Sequence, residues 1–352
     1  MFSLFKPATP KAVHIEGLDA PLLVQKGETI LQAALRQGVR FPHSCRVGGC
    51  ASCKCQLQSG KVKELTESAY ILSQQELIDG YILACQSVPK TDLTLKVDNL
   101  AAGPSHPVET RTGRIVSTQR HTHDIVELII ELESALAYTA GQYALLSVPG
   151  VIEQPRSYSF ATAPESSGSR RVHFFIRAVP GGRTSNWAQT DVAGTAIQLE
   201  GPFGDFHLRD PHASQQPMLC IAGGSGLAPV KALLEDALHF KCNRPVTFLF
   251  GARTQRDLYC LLEMQQLEQN WAADFRFMPV LSEEPADSDW TGARGLVTDF
   301  IAPHFSSNAQ IYMCGPPAML DAAELQLRQR GIPANQIFSD RFLDQSMLQK
   351  SA

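Results

Sequence analysis

Three cysteines, Cys45, Cys50 and Cys53, stand in C-x4-C-x2-C spacing within a loop that also holds Gly48 and Gly49, and Cys85 follows downstream. That is the plant-type ligand spacing of a [2Fe–2S] cluster. It constrains the fold strongly, because four thiolates can share one small inorganic core only if the chain around Cys85 returns to the 45–53 loop. A cluster of this kind accepts one electron at a time, so electron transfer is the expected function. Two plainer readings stand beside it, a structural zinc site, which usually shows paired short spacings, and unrelated buried thiols. Cys55, in a strand-like segment two residues past Cys53, is expected to pack as a small core residue rather than to bind metal.

At 352 residues the chain is long for one hydrophobic core and predicts two or three domains. Hydrophobic residues at 44% and charged residues at 19%, without a low-complexity tract or repeat, describe an ordinary globular protein. The longest apolar stretch, Met218 to Leu234, is broken by Gly223, Gly224, Gly226 and Pro229, so no spanning helix and no membrane insertion are expected. The N-terminus lacks the pattern of a secretory signal, and nine cysteines, an odd number, argue against a disulfide framework. A cytoplasmic, monomeric protein is expected. The net charge of −4 excludes a strongly basic nucleic-acid surface. Residues 1–100 carry eleven basic and nine acidic side chains, a balance of +2 that leaves −6 downstream, so the cysteine-bearing segment is not an acidic docking module.

Short strands are predicted at Val13–Glu16 and Leu22–Gln25, followed by an amphipathic helix from Thr29 that Gly38 closes. Cys85 lies at the end of a strand-like run, Tyr81–Cys85, and a closing strand is expected over Leu93–Val97. The glycines of the cysteine loop let backbone N–H groups approach the sulfurs closely. Residues 101–109, with Gly103, Pro104 and Pro107, read as a linker between domains at 1–100 and 110–212.

Beyond the linker, Thr112–Ser117 and Ile125–Leu132 read as antiparallel strands and turn signals recur, so an all-β barrel with one helix near Asn186 is predicted. His121 and His123 are expected to face solvent. Three segments place polar groups among aromatic ones: Gly141-Gln142-Tyr143, Arg156-Ser157-Tyr158-Ser159 and Gly181-Gly182-Arg183-Thr184-Ser185. Together they resemble the flavin site of the ferredoxin–NADP reductase superfamily, and Gly201-Pro202-Phe203-Gly204 matches its G-P-x-G segment. That resemblance implies a six-stranded antiparallel barrel in which Arg156 meets the flavin diphosphate. It also implies that Tyr158 packs on the isoalloxazine ring and that Ser159 hydrogen-bonds near its reactive nitrogen. Gly182 and Ser185 would cradle the diphosphate at a helix N-terminus.

The last third, 213–352, opens with an apolar strand, Met218–Ala222, that runs into Gly223-Gly224-Ser225-Gly226-Leu227-Ala228-Pro229, and Val230, Leu234 and Leu238 then repeat at helical spacing. Strand, glycine turn and helix in that order predict a dinucleotide diphosphate site, with Pro229 where the standard fingerprint has its third glycine. Further strands at Val246–Phe250, Arg276–Val280 and Gln310–Met313, and a helix around Leu258–Leu267, predict a doubly wound parallel sheet. After the second strand Asp257 suits the free ribose hydroxyls of NADH, whereas Arg253 and Arg256 could grip a 2′-phosphate; the acidic residue favours NADH. Cys314-Gly315-Pro316-Pro317 matches the superfamily's C-G-P-P turn, which implies a thiol beside the nicotinamide. Asp340-Arg341-Phe342 resembles the segment whose aromatic ring covers the flavin.

The order of iron–sulfur module, flavin barrel and nicotinamide domain resembles the reductase components of bacterial multicomponent oxygenases. Phe41-Pro42-His43-Ser44-Cys45, Val179-Pro180-Gly181-Gly182, Arg256-Asp257-Leu258-Tyr259-Cys260 and Val280-Leu281-Ser282-Glu283-Glu284 resemble most the xylene-type branch. The resemblance implies a β-grasp ferredoxin domain, FAD as the flavin, and electrons passing from NADH to FAD to the cluster. The implied partner is a terminal oxygenase, a membrane-bound diiron hydroxylase in the xylene-type case, with a soluble diiron or Rieske oxygenase as the other possibility. A reductase for a desaturase or a sugar-deoxygenating enzyme would carry the same site residues. An NADH-binding redox sensor would also carry them.

Overall fold

The computed structural model describes residues 9–97, 100 and 106–342, and these fall into two compact units, divided between the segment up to residue 100 and the segment from His106. Most of the expected linker, residues 101–105, lies outside the described residues.

In the first unit β1 (Lys11–Ile15), β2 (Leu22–Val24), β3 (Lys54–Ser59), β5 (Tyr81–Leu83) and β7 (Leu93–Lys96) form one sheet in the order β2-β1-β7-β3-β5. Only β1 and β7 pair in parallel. The short strands β4 (Val62–Glu64) and β6 (Ser87–Pro89) form a separate ribbon. Helix α1 (Ile30–Arg36) lays Ile30, Leu31, Ala33 and Ala34 on the sheet. Thr29 and Gln32 close a capping box at its start, an arrangement that contributes about 1 kcal/mol. A second short helix, α2 (Gln74–Ile78), precedes β5. This is the β-grasp plan, with one difference from the sequence pattern. The strand leading to Cys85 stops at Leu83, because Ala84 N–H turns to the Cys53 carbonyl and Gln86 N–H to the Leu83 carbonyl.

The second unit begins with six antiparallel strands: β8 (Glu109–Arg120), β9 (Ile125–Leu136), β10 (Tyr143–Val148), β11 (Ile152–Ser159), β12 (Ser169–Arg177) and β13 (Ala196–Phe203). Their order is β11-β10-β13-β8-β9-β12, and an antiparallel bridge between Phe160 and Phe174 joins the two edge strands, closing a barrel around Ile115, Leu128, Ile130, Leu146, Phe174 and Leu199. Helix α3 (Arg183–Trp187) packs on β11.

Strand β9 is buried on both faces. Val126, Leu128 and Ile130 point into the barrel, while Ile125 joins the core of the following sheet. Glu127 shares that outer side, and its carboxylate accepts from His121 Nε2 at 3.1 Å and His173 Nδ1 at 2.7 Å. His121 is therefore not solvent-facing as expected. Its side chain is 9% exposed and its ring contacts Phe175 and Tyr259, whereas His123 is exposed. Burial alone would raise the Glu127 pKa, but the two imidazole hydrogen bonds outweigh it and hold the group down at about 2. A depressed carboxylate stabilises the fold above its ordinary value near 4.5, and that stabilisation is lost as pH falls through about 2. Glu127→Gln is expected to cost about 2 kcal/mol at neutral pH and to flatten the acid limb of stability, read by urea unfolding across pH 2 to 7.

The rest of the unit is a six-stranded parallel sheet of β14 (Met218–Gly223), β15 (Val246–Ala252), β16 (Phe275–Leu281), β17 (Ala293–Arg294), β18 (Gln310–Gly315) and β19 (Ile337–Arg341) in the order β17-β16-β15-β14-β18-β19. Helices α4 (Leu227–His239) and α5 (Leu261–Asn270) cover one face, α6 (Pro317–Gln329) the other. Alternate residues of β14 serve both cores, Cys220 and Ala222 toward α4, Leu219 and Ile221 toward α6, which explains its unbroken apolar run. Helix α5 starts three residues later than the apolar spacing suggested. Asp257 instead caps a 3-10 turn at Gln255–Asp257, and Cys260 sits at φ 55° as the N-cap. Among the described residues no helix is long and apolar enough to cross a membrane.

Candidate functional site

The cysteine loop is shaped by left-handed residues, Arg46 at φ 59°, Gly48 at φ 82° and Ala51 at φ 58°, which turn backbone N–H groups toward sulfur. Gly49 N–H reaches Cys45 Sγ at 3.3 Å, Cys45 N–H reaches Cys50 Sγ at 3.4 Å and Cys85 N–H reaches Cys53 Sγ at 3.5 Å. The four thiols associate in two pairs. Cys45 lowers the pKa of Cys50 to about 6, and Cys53 lowers that of Cys85. Four convergent thiols ringed by N–H donors fit a [2Fe–2S] core, which needs anionic sulfur and donors that stabilise it. Cys55 stays apart, buried in the sheet core with its pKa pushed up to about 12 by desolvation. Gln86 was not legible as a site residue. Its amide reaches Cys85 Sγ at 3.7 Å, and its side chain fills the space beside Gly48 where a Cβ could not fit.

In the barrel the register of β10 and β11 sets Tyr143 opposite Ser159, Ala144 opposite Tyr158 and Leu146 opposite Arg156. Gly182 caps α3, which carries Arg183, Thr184 and Ser185 and packs on β11. Ser159, Thr184 and Ser185 are buried, Ser157 and Arg183 exposed, Arg156 and Tyr158 half-buried. Burial raises the Tyr158 phenol to about 12. The Arg156 guanidinium donates to the Gln154 and Pro155 carbonyls at 3.1 Å. Ser185 Oγ accepts from Val179 N–H at 3.1 Å. Gln142 is spent inside the protein: it accepts from Thr139 N–H at 2.8 Å and donates to the Gly204 carbonyl at 3.2 Å, bracing the turn after β13.

The parallel sheet reverses its strand order between β14 and β18, and at such switch points open α/β sheets bind ligands beyond the carboxyl ends of the strands. A cleft of about 340 Å³ lies there, lined among others by Gly223, Gly224, Gly251, Pro316 and Met319. Gly224 and Ser225 are half-buried, and Gly226 starts α4 against the Cys314 carbonyl, where no side chain could be accommodated. Cys314 itself is fully buried, with its thiol pushed up by desolvation and by Asp340. Gly315, at φ 151°, accepts from Phe342 N–H at 3.0 Å, and the Phe342 ring packs half-buried on the core. Arg253 and Asp257, expected to compete over the ribose, instead bond each other at 2.5 Å, and Asp257 also accepts from Thr254 N–H and Oγ1. Arg256 is exposed. Two charged cleft residues, Asp124 and Arg177, carried no sequence signal. Arg177, at the end of β12, places Nη1 3.4 Å from where a Gly224 Cβ would lie.

The thiol quartet, the barrel with its half-buried tyrosine and the glycine-turn cleft define a flavin- and nicotinamide-dependent iron–sulfur oxidoreductase. Family models agree over the matching segments: a 2Fe-2S iron-sulfur cluster binding domain at residues 13–90, an oxidoreductase FAD-binding domain at 112–208 and an oxidoreductase NAD-binding domain at 220–324. The chain is 41% identical to the xylene/toluene monooxygenase electron transfer component of Pseudomonas putida, covering 96% of this chain and 95% of that one. It is 35% identical to the phenol 2-monooxygenase reductase component of Pseudomonas sp. strain CF600, covering 94% of each. The crystal structure of an Amycolatopsis cytochrome P450 reductase superposes with a TM-score of 0.79 at 33% identity, covering 94% of this chain and 98% of that one. The chain belongs to the family of electron-transfer (reductase) components that serve separate oxygenases.

Proposed function

We propose that this chain carries electrons from NADH through FAD and a [2Fe–2S] cluster to a separate terminal oxygenase that hydroxylates an aromatic or alkyl-aromatic hydrocarbon. One observation carries it: a pocket of four convergent thiols with backbone N–H donors and a dinucleotide cleft occur in a single chain, so two-electron and one-electron chemistry meet in one molecule. When bound, the flavin supplies the conversion between a hydride pair and the single electrons that the iron centre takes.

The chain's own residues supply binding and orientation. Cys45 with Cys50 would hold one iron, Cys53 with Cys85 the other. Tyr158 and Ser159 would face the flavin ring, with Tyr143, Ser157, Arg183 and Thr184 around it and Gln142 holding the adjoining turn. Gly182 and Ser185 would cradle its diphosphate, and Arg156 would leave the Gln154 and Pro155 carbonyls to join them. Gly224, Ser225 and Gly226, at the start of a 13-residue helix, would receive the nicotinamide dinucleotide's diphosphate. Phe342 would cover the flavin until nicotinamide displaces it. Cys314, Gly315 and Pro316 would line the nicotinamide end. Two carboxylates neutralise Arg253, which supports NADH over a coenzyme with an additional phosphate.

The identity with the xylene/toluene component supports a membrane-bound diiron hydroxylase as partner, and nine free cysteines support a cytoplasmic location. Domain limits of 1–100, 110–212 and 213–352 fit this division of labour. An anaerobic titration tests the scheme. NADH should bleach the flavin and cluster bands together, and at equal concentration NADPH should be slower by about tenfold or more. Flavin bleaching with the cluster left oxidised would contradict the route to iron.

A further inference from the structure

Four charged side chains crowd the mouth of the nucleotide cleft. Asp124, in the bend before β9, accepts from Arg177 Nε at 3.0 Å and from Arg253 Nη2 at 3.0 Å. Arg177 ends a barrel strand and Arg253 follows β15, so one carboxylate joins guanidinium groups from the two halves of this unit. Arg253 is also held by Asp257, and all four residues line the cleft. The exposed His123 stands 3.9 Å from Asp257. His123, Asp124 and Asp257 have ligand atoms within 4.8 Å of one another, but the guanidinium groups already engage both carboxylates, so a metal cation would have to displace them.

Two positive and two negative charges cancel beside the Gly224 turn, where a diphosphate would arrive. We propose that Asp124 sets the affinity for the nicotinamide dinucleotide by acting as a competing counter-anion on Arg177 and Arg253. This rests on the reading of the cleft as the dinucleotide site. Without Asp124, Arg177 would meet the ligand with its full field, and Arg253 would keep only Asp257 as counter-ion. With it, binding becomes an exchange of one anion for another, which lowers the affinity for the oxidised coenzyme and favours its release after each hydride transfer. Asp124 is thus a positioning residue and Arg177 a diphosphate contact.

Asp124→Asn tests this cleanly, because its side-chain oxygen can still accept from Thr122 Oγ1, as Asp124 Oδ1 does at 2.9 Å, while the charge is removed. Equilibrium binding of NAD+ to the FAD-loaded full chain is the readout, at about 20 mM and about 200 mM salt, where screening differs strongly. The Kd of Asp124→Asn is expected to fall about fivefold or more at low salt, with the gain shrinking at high salt. Adding Arg177→Gln should abolish the gain, and Arg177→Gln alone should weaken binding several-fold. A purely structural role for Asp124 would instead weaken binding and lower the FAD content. An unchanged or raised Kd in Asp124→Asn, or a gain that survives Arg177→Gln, overturns the proposal. Should Asp124→Asn fail to retain FAD, unchanged NAD+ binding in Arg177→Gln alone overturns it equally. A wild-type protein that binds no NAD+ would instead refute the dinucleotide reading of the cleft.

Discussion

Cys53→Ser should lower NADH-dependent reduction of a one-electron protein acceptor by more than about a hundredfold, beyond the loss typical of outer-shell partners of a metal, while NADH still bleaches the flavin. The side chain is 3% exposed, and its sulfur accepts from Cys85 N–H while pairing with the Cys85 thiol. A serine oxygen sits shorter from Cβ and holds its proton far more tightly, so the ligand set loses one of its four soft thiolates and its geometry together. Cys55→Ser is the control. That thiol is equally buried but belongs to the sheet core, so its loss should cost stability and leave the acceptor rate within about twofold. Equal losses in both variants would show that Cys53 acts through folding and not as a ligand.

Gly226→Ala should act at the other end of the route. A Cβ on Gly226 would collide with the carbonyl of Cys314, and because that neighbour is backbone in β18 it cannot swing aside. Overpacking of this kind costs about 1–3 kcal/mol, and pushing the glycine turn away from the 314–316 turn would spoil the row of N–H groups at the start of α4. The KM for NADH is expected to rise about tenfold, equivalent to 1.4 kcal/mol, with the cluster spectrum intact. Steady-state kinetics and thermal unfolding check the two effects separately. An unchanged KM would place the diphosphate away from this turn. Together the variants separate entry of electrons from their exit, since Gly226 and Cys53 lie in different compact units.

Much of the molecule was legible without coordinates where chemistry enforces spacing. The four cysteines and the glycine turn after Met218–Ala222 identified the first and last modules, because a cluster and a diphosphate each tolerate few residue patterns. Periodicity gave the middle module only as a barrel, and its flavin came from the resemblance of three short segments to a known family. Side chains whose partners are remote in sequence were another matter. His121 looked like a surface residue until β12 brought His173 to the other side of Glu127. The start of α5 depended on Asp257 capping its own turn, a local hydrogen-bond choice that apolar periodicity does not report. Asp257 and Arg253, only four residues apart, read as rivals for a ribose, and it is the remote Asp124 that draws Arg253 toward the barrel.

Sequence alone thus determined the cluster and the dinucleotide site, since short local patterns answer to the geometry of the groups they hold, and it pointed to the flavin through resemblance to a family. Tertiary structure alone decided that Asp124 joins Arg177 and Arg253 at the nucleotide cleft. Arg253 and Asp257 are only four residues apart, whereas Asp124 lies in a bend, 53 residues from Arg177 at a strand end and 129 from Arg253, so its two ion pairs depend on the fold. No local rule encodes such an encounter, because the Coulomb energy of a pair depends on separation in space and not on separation along the backbone.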